Sequence, residues 1–411
     1  MQNGIHEMVG RAKWLCVSSL VSCALTATAN AQAFNVDLGT SQGVPSDTFD
    51  GAAMQPGVWN GIQSSSSNTV LPLVDLAGNP TGVTIEVNSF SDIGENLGPS
   101  FFGGTLPGTT GDVAALMNDL LDGGGITGTG VVEFEGLTPG FYDVYMYSWS
   151  GPSGTSFEVF GEPFEEVRSG PWAGFVFGST YTAKCGSVGM NGRLRIRFTN
   201  SAYSTMNGVQ LVPRTGPCPL SERCFGDGGD GAGCTDCPCG NEAVPGTQGG
   251  CLNSTGNSAR LEARGIPSVS RDQLAMFFSG GAPNSFATLA SGAQGTPVNP
   301  ANPCFAAQSG VPSLAFDGLR CIASSEVRHG TRATDASGDL VETLFPIGGG
   351  LFQLVPGSWG GLNGPAQGLV AQGAFAAGSV RHFQVIYRDD ATLGCGRGLN
   401  TSQAVRVEIG L

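Results

Sequence analysis

The sequence predicts an all-β protein made of two β-sandwich domains joined by a disulfide-rich, Gly-rich linker, with one helix at about 110–122. Three observations carry this reading. Short runs alternate with period two, as Val83, Ile85 and Val87 do against Thr84, Glu86 and Asn88, and that period belongs to half-buried antiparallel strands. Glycine supplies 66 and proline 24 of the 411 residues, which punctuates the chain with turns. Charged residues are 13% against 40% apolar, the wrong balance for a disordered chain.

Taken in order, the chain opens with Arg11 and Lys13, an apolar run from Trp14 to Leu25, and small-residue sites at Ala29-Asn-Ala31 and Ala31-Gln-Ala33. That succession predicts a secretory signal over residues 1–31, cleaved after Ala31 or Ala33. The run is too short to span a bilayer, and no other stretch predicts a transmembrane helix. The expected location is therefore extracellular; Leu20-Val-Ser-Cys23 gives an alternative, a lipid anchor on Cys23. A net charge of −14 without basic clusters argues against nucleic acid and anionic membranes as partners.

Residues 34–214 read as the first sandwich. Leu194, Ile196 and Phe198 interleave with Arg193, Arg195 and Arg197, Val209 and Leu211 flank Gln210, and Phe141–Tyr147 is aromatic on both faces, as a central strand would be. The arginine stripe reads as a solvated face paired with carboxylates on neighbouring strands; a sharper alternative is a site for uronate or sulfate groups. Val113, Leu116, Met117, Leu120 and Leu121 recur at helical spacing, with Thr110 or Asp112 to cap the start and Gly123 to end it.

Residues 215–240 read as the linker. Cys185, Cys218, Cys224, Cys234, Cys237, Cys239, Cys251, Cys304, Cys321 and Cys395 lie beyond the leader, and an even count in an exported chain reads as disulfides. Cys185 alone precedes the linker, so parity predicts a bond to it, most simply to Cys218 or Cys224, or else a free thiol. Cys234-Thr-Asp-Cys237-Pro-Cys239 has no second C-x-x-C at zinc-ribbon spacing. Asp227-Gly-Gly-Asp-Gly231 lacks the spacing and trailing Glu of a calcium loop.

Residues 241–411 read as a second sandwich of unknown function. Ala259, Leu261 and Ala263, then Phe383, Val385 and Tyr387, then Val405, Val407 and Ile409 alternate with polar neighbours. Segment 346–364, with Trp359, reads as turn or loop, and Cys304 is expected to pair with Cys321.

Two resemblances follow. Glu135-Gly-Leu-Thr-Pro-Gly-Phe-Tyr-Asp-Val-Tyr-Met-Tyr-Ser148, with Arg193–Phe198 and Met206–Leu211, resembles the galactose-binding-domain-like jelly rolls, which include carbohydrate-binding modules and malectin-like domains. The resemblance implies a jelly-roll-like sandwich with sugars in loops at one end or on the concave sheet. It leaves a structural calcium open, although no calcium ligands map onto this chain, and no other cofactor is expected. Cys224-Phe-Gly-Asp-Gly228, Cys237-Pro-Cys-Gly-Asn241, Gly250–Ser254, Phe316–Cys321 and Phe383–Asp389 resemble a Cys-containing module of uncharacterised secreted bacterial proteins, which implies export without implying an activity.

Sugar rings stack on aromatic faces while amides and carboxylates bind the hydroxyls. The candidate ligand-binding residues are therefore Trp149 and Trp172, both in Gly/Ser/Pro-rich loops, with Trp59, Asn60, Tyr147 and Asn207. No catalytic residues are assigned. His329 and His382 are too few for a His-rich metal site, and no G-x-S-x-G, H-E-x-x-H or P-loop occurs. The expectation is a secreted, non-catalytic carbohydrate-binding protein with a glycan partner. The alternative is a structural or adhesive surface protein without a small-molecule ligand; a polysaccharide-degrading enzyme is the weaker third reading.

Overall fold

The computed structural model describes residues 32–411 except 65, 67, 92–95, 125–127, 150–153, 162–164, 168–171, 200–203, 229–235, 271, 307–308, 349–350, 356, 361–367 and 392–395. The signal segment, Cys23, Cys234 and Cys395 lie outside the described residues. Residues 31–411 form one compact unit, and it is nearly all β.

The first half is a sandwich. One sheet runs Tyr181–Val188, Gly140–Tyr147, Gly208–Arg214, Phe34–Leu38, Trp59–Ile62. The other runs Glu165–Val167, Thr155–Val159, Leu194–Thr199, Thr129–Glu135, Pro80–Phe90, Val70–Val74. Their facing sides supply one apolar core, in which Phe34, Val36, Tyr142, Val144 and Met146 meet Val83, Ile85, Phe134, Ile196 and Phe198. These are the residues that the period-two pattern turned inward.

The strand Gly140–Tyr147 is central, as its two aromatic faces predicted. Its other face, with Tyr145 and Tyr147, lies under a second aromatic cluster containing Trp59, Leu116, Met117, Phe177 and Tyr181. A buried polar network fastens the loop 47–57 to this outer face. Asn35 and Gln210 stand opposite each other on neighbouring strands; Gln210 Nε2 donates to Asn35 Oδ1 at 2.8 Å, and Gln55 Nε2 donates to the same oxygen at 2.9 Å. The loop amides of Ala52 and Ala53 donate to Tyr147 Oη (2.6 Å) and Gln210 Oε1 (3.1 Å). Buried amides so satisfied fix one loop conformation instead of destabilising the sheet.

The helix is shorter than its apolar spacing predicted. It runs Gly111–Met117, and Leu120 and Leu121 belong to a strand, Asp119–Asp122, paired with Ser100–Gly103. The chain turns at Asn118, whose Oδ1 accepts from Leu106 N at 2.8 Å, and at Asp119, which accepts from Gln42 N at 2.8 Å. Neither predicted cap caps: Thr110 makes no side-chain cap bond, and Asp112 binds Ser46 N and Oγ, both at 2.8 Å.

The second half packs a five-stranded sheet, Leu220–Arg223, Leu399–Glu408, Val380–Arg388, Phe286–Gly292, Val327–Ala333, against a three-stranded one, Arg260–Arg264, Ala275–Ser279, Ser358–Gly360. Leu261, Met276, Phe278, Phe383, Val385 and Val407 fill the space between them. Trp359, read as part of a loop, sits on a strand in this core and donates Nε1 to Gly330 O at 3.1 Å.

The stretch read as a linker contributes an edge strand to this sheet, Leu220–Arg223 against Leu399–Glu408. Cys185 bonds to Cys218, Cys224 to Cys321 and Cys237 to Cys251. The expected Cys304–Cys321 pair is therefore wrong: Cys321, between the short strands Leu319–Arg320 and Ile322–Ala323, sits with Cys224, Cys237 and Cys251 in a small sulfur-rich core, whereas Cys304 is disulfide-bonded elsewhere, as Cys239 also is. The halves touch directly. Ile266 enters the aromatic cluster of the first half, and Gln273 Nε2 donates to Tyr181 Oη at 2.6 Å.

Candidate functional site

Four of the six residues expected to meet a ligand are occupied inside the protein. Trp59 is 4% exposed and donates Nε1 to Phe49 O at 3.0 Å. Asn60 bridges two strands, donating Nδ2 to Asn35 O and Val74 O at 3.0 Å and accepting from Val74 N at 2.8 Å. Tyr147 is fully buried, its hydroxyl bonded to Gln210 Oε1 and Ala52 N, and burial pushes its pKa well up. Asn207 is also fully buried; it donates to Met117 O (3.1 Å) and Asp119 O (2.6 Å) and accepts from Trp149 N at 2.7 Å. The amide and phenol groups that make good sugar contacts serve here to close backbone hydrogen bonds.

Trp149 and Trp172 differ. Both are half-buried and pack on the edge of the aromatic cluster. Trp172 meets Phe175 edge-on, with ring centroids 5.3 Å apart, and lies over Gly108, where a Cβ would come within 3.6 Å of the indole.

A concave site lies elsewhere, between the two halves. It encloses about 920 Å³, within the range of small-ligand sites. The strand Tyr181–Val188 forms one wall and the strands Leu220–Arg223 and Arg260–Arg264 the other. The disulfide Cys185–Cys218, with Cα atoms 5.5 Å apart, ties the walls together at the rim. Half-buried rings of Phe141, Phe160 and Phe225 face the groove. Gly186 is required there, because a Cβ at that position would run into the Phe160 ring.

The charges of the groove come in pairs. Arg193 bonds Glu133 (2.7 Å) and Glu135 (2.5 Å), Arg260 bonds Glu222 (3.1 Å), and Glu262 binds Arg264 (2.9 Å). Arg195 reaches Glu133 only at 3.8 Å. The arginine stripe thus takes the solvated, paired form, with Arg197 on Glu158 at 2.9 Å. Burial alone would raise the Glu262 pKa. The hydrogen bond from Arg264 and the charges of Arg264, Arg260 and Lys184 outweigh burial and hold it below the usual carboxylate range.

Sequence reasoning missed this groove because its walls come from segments far apart in the chain. Arg193, Arg195 and the bond expected from Cys185 to the linker were its signals. It also missed Asp37, fully buried on the strand Phe34–Leu38 with neither carboxylate oxygen hydrogen-bonded. Burial first, and the nearby charge of Asp119 second, push its pKa well up. Among the described residues no group of three or more His, Cys, Asp or Glu side chains could hold a metal ion, and no helix is long and apolar enough to cross a membrane.

No protein family model and no curated protein matches the chain. Several solved structures overlap part of it. A beta-glucuronidase from Bacteroides uniformis is 16% identical, with a TM-score of 0.27 over 44% of this chain and 18% of its own. A GH26-CBM35 beta-(1,4)-mannanase from Podospora anserina is 14% identical, with a TM-score of 0.20 over 35% of this chain and 33% of its own. An exo-beta-1,3-galactanase from Phanerochaete chrysosporium is 16% identical, with a TM-score of 0.17 over 33% and 35%. The matched part is thus a minor share of each of those proteins, and overlaps this slight assign neither a family nor a site.

Proposed function

We propose that this is an exported, non-catalytic carbohydrate-binding protein that takes its glycan in the groove between the two halves. The observation that carries the reading is the lining of that groove. A sugar hydroxyl both donates and accepts, so its best surface offers fixed cations and fixed anions side by side. Arg193, Arg195 and Arg260 supply donors, Glu222 and Glu262 supply acceptors, and the three phenylalanine rings suit the C–H faces of a pyranose. A carboxylate held ionised, as Glu262 is, suits hydrogen-bond acceptance and not proton donation to a leaving group. Disulfides favour an oxidising, extracellular compartment.

The internal roles of Trp59, Asn60, Tyr147 and Asn207 favour the second reading, a structural or adhesive surface protein. A glycan array followed by pull-down on insoluble polysaccharides separates the two. Arg195→Ala and Phe225→Ala should each weaken binding about tenfold or more, the loss expected for a charge-assisted contact or a stacked ring. Loss of binding only in Trp149→Ala or Trp172→Ala would move the ligand to the aromatic rim. No binding to any glycan would leave the structural reading, and turnover of a polysaccharide would overturn the non-catalytic one.

A further inference from the structure

Building on the groove as the glycan site, we propose that its ligand is an anionic glycan, one whose sugars carry a carboxylate or a sulfate ester, and that Arg195 is the residue that reads that charge. The arginines around the groove differ in how fully they are engaged. Arg193 bonds Glu135 at 2.5 Å and Glu133 at 2.7 Å, Arg260 bonds Glu222 at 3.1 Å and Arg264 bonds Glu262 at 2.9 Å. Arg197, further along the stripe, bonds Glu158 at 2.9 Å. Arg195 stands directly opposite Glu133 on the neighbouring strand, where an ion pair is expected. One oxygen of Glu133 goes to Arg193 instead, and the other lies 3.8 Å from Arg195 Nε, beyond hydrogen-bond reach. Among the described residues Arg195 makes no hydrogen bond, and its side chain keeps 55% of its surface exposed. Its fork of N–H donors suits two parallel bonds to a carboxylate or a sulfate.

The surroundings favour a negative group there. Lys184, Arg193, Arg195 and Arg260 line the groove with the carboxylates Glu222 and Glu262, on a chain whose net charge is −14. Both of those carboxylates are held by arginines of their own wall, Arg260 and Arg264, so neither takes up Arg195. Glu133 and Glu135 do not line the groove.

A stacking surface lies beside the cation. Val159 stands opposite Ile196, so Phe160, the next residue, comes alongside Arg195, and both line the groove. Neighbouring strands lie about 5 Å apart, a span that one sugar residue covers. A pyranose laid on the Phe160 ring by its C–H face would carry its carboxylate or ester sulfate to Arg195. A neutral sugar in the same place offers a hydroxyl, a weaker acceptor.

The test is calorimetry on the full chain with matched probes. Oligosaccharides of polygalacturonate and of alginate are each compared with their carboxyl-reduced forms, and those of carrageenan with their desulfated form. At least one charged probe should bind about tenfold or more tightly than its neutral counterpart, and added sodium chloride should narrow the gap. The pair that shows the gap tells carboxylate from sulfate ester. Arg195→Gln should abolish the gap and Arg195→Lys should keep part of it. Arg328→Gln removes the same charge from an exposed position outside the groove and should leave the gap whole. Charged and neutral probes bound alike, a gap that survives Arg195→Gln, or one that Arg328→Gln narrows as much overturns the anionic assignment. The groove reading is judged separately, by Phe225→Ala: if it weakens binding of the neutral probe the groove stands without the charge, and if no probe responds to it the groove falls as well.

Discussion

Replacing Asp37 by Asn tests the electrostatics of the first sandwich. Asp37 shares the outer face of its strand with Asn35 and stands opposite Gly208 and Gly61. It is fully buried, its two oxygens have no hydrogen-bond partner, and the fully buried Asp119 lies near enough to raise its pKa further. An unsatisfied buried polar group costs about 1–3 kcal/mol. In the unfolded chain Asp37 loses its proton near 3.8, whereas the folded protein keeps it to higher pH. Between those values the folded state binds more protons, so stability falls as pH rises through the window and is fully present below it. Asn does not titrate. Denaturant unfolding should therefore find Asp37→Asn gaining on wild type by about 1.4 kcal/mol for each pH unit above 3.8, until the folded carboxyl titrates, with the gain vanishing near pH 3.8. A variant less stable at neutral pH, beside a wild type that chelation weakens, would mean that the pair holds a cation and would refute the argument.

Three further outcomes follow from the same structure. His329 and His382 are both depressed from 6.5 to about 4, chiefly by burial; unfolded histidines bind protons first as pH falls, so stability present above pH 6.5 should drop between there and about 4, by about 3 kcal/mol for each ring, and imidazole NMR should place both midpoints near 4. Removing the Cys185–Cys218 bond as a double Ser variant opens a loop of 33 residues and should cost about 4 kcal/mol in denaturant unfolding, with faster proteolysis of the joint. Tyr147→Phe strands the Ala52 amide and should cost about 1–3 kcal/mol while leaving any glycan affinity unchanged.

Much of the architecture was legible because a period of two needs no knowledge of partners. Val83, Ile85 and Val87, Leu194 to Phe198, and Phe383 to Tyr387 all face the cores they were expected to face. That Cys185 bonds to the linker was legible from parity, which left Cys218 and Cys224 as alternatives; the structure makes the partner Cys218. What failed depended on contacts distant in sequence. Leu120 and Leu121 keep helical spacing, yet the hydrogen bonds of Asn118 and Asp119 to residues 106 and 42 turn the chain into a strand before them. Asn207 and Tyr147 have the chemistry of sugar ligands, but nothing local says that backbone groups at residues 52, 117 and 119 claim them first. Trp359 stands among glycines and so resembles a loop residue, although the second core closes over it. The groove was invisible for the same reason, since its walls meet only after both halves have folded.

The account rests on the groove between the halves as a glycan site, and Gly186 gives the sharpest single measurement. Calorimetry of a bound oligosaccharide should show Gly186→Ala, in which the new Cβ meets the groove-lining Phe160 ring and forces it to move, binding at least about tenfold more weakly, a change of about 1.4 kcal/mol, with the fold intact by circular dichroism. Unchanged affinity in a folded Gly186→Ala protein would contradict the claim that sugars bind there.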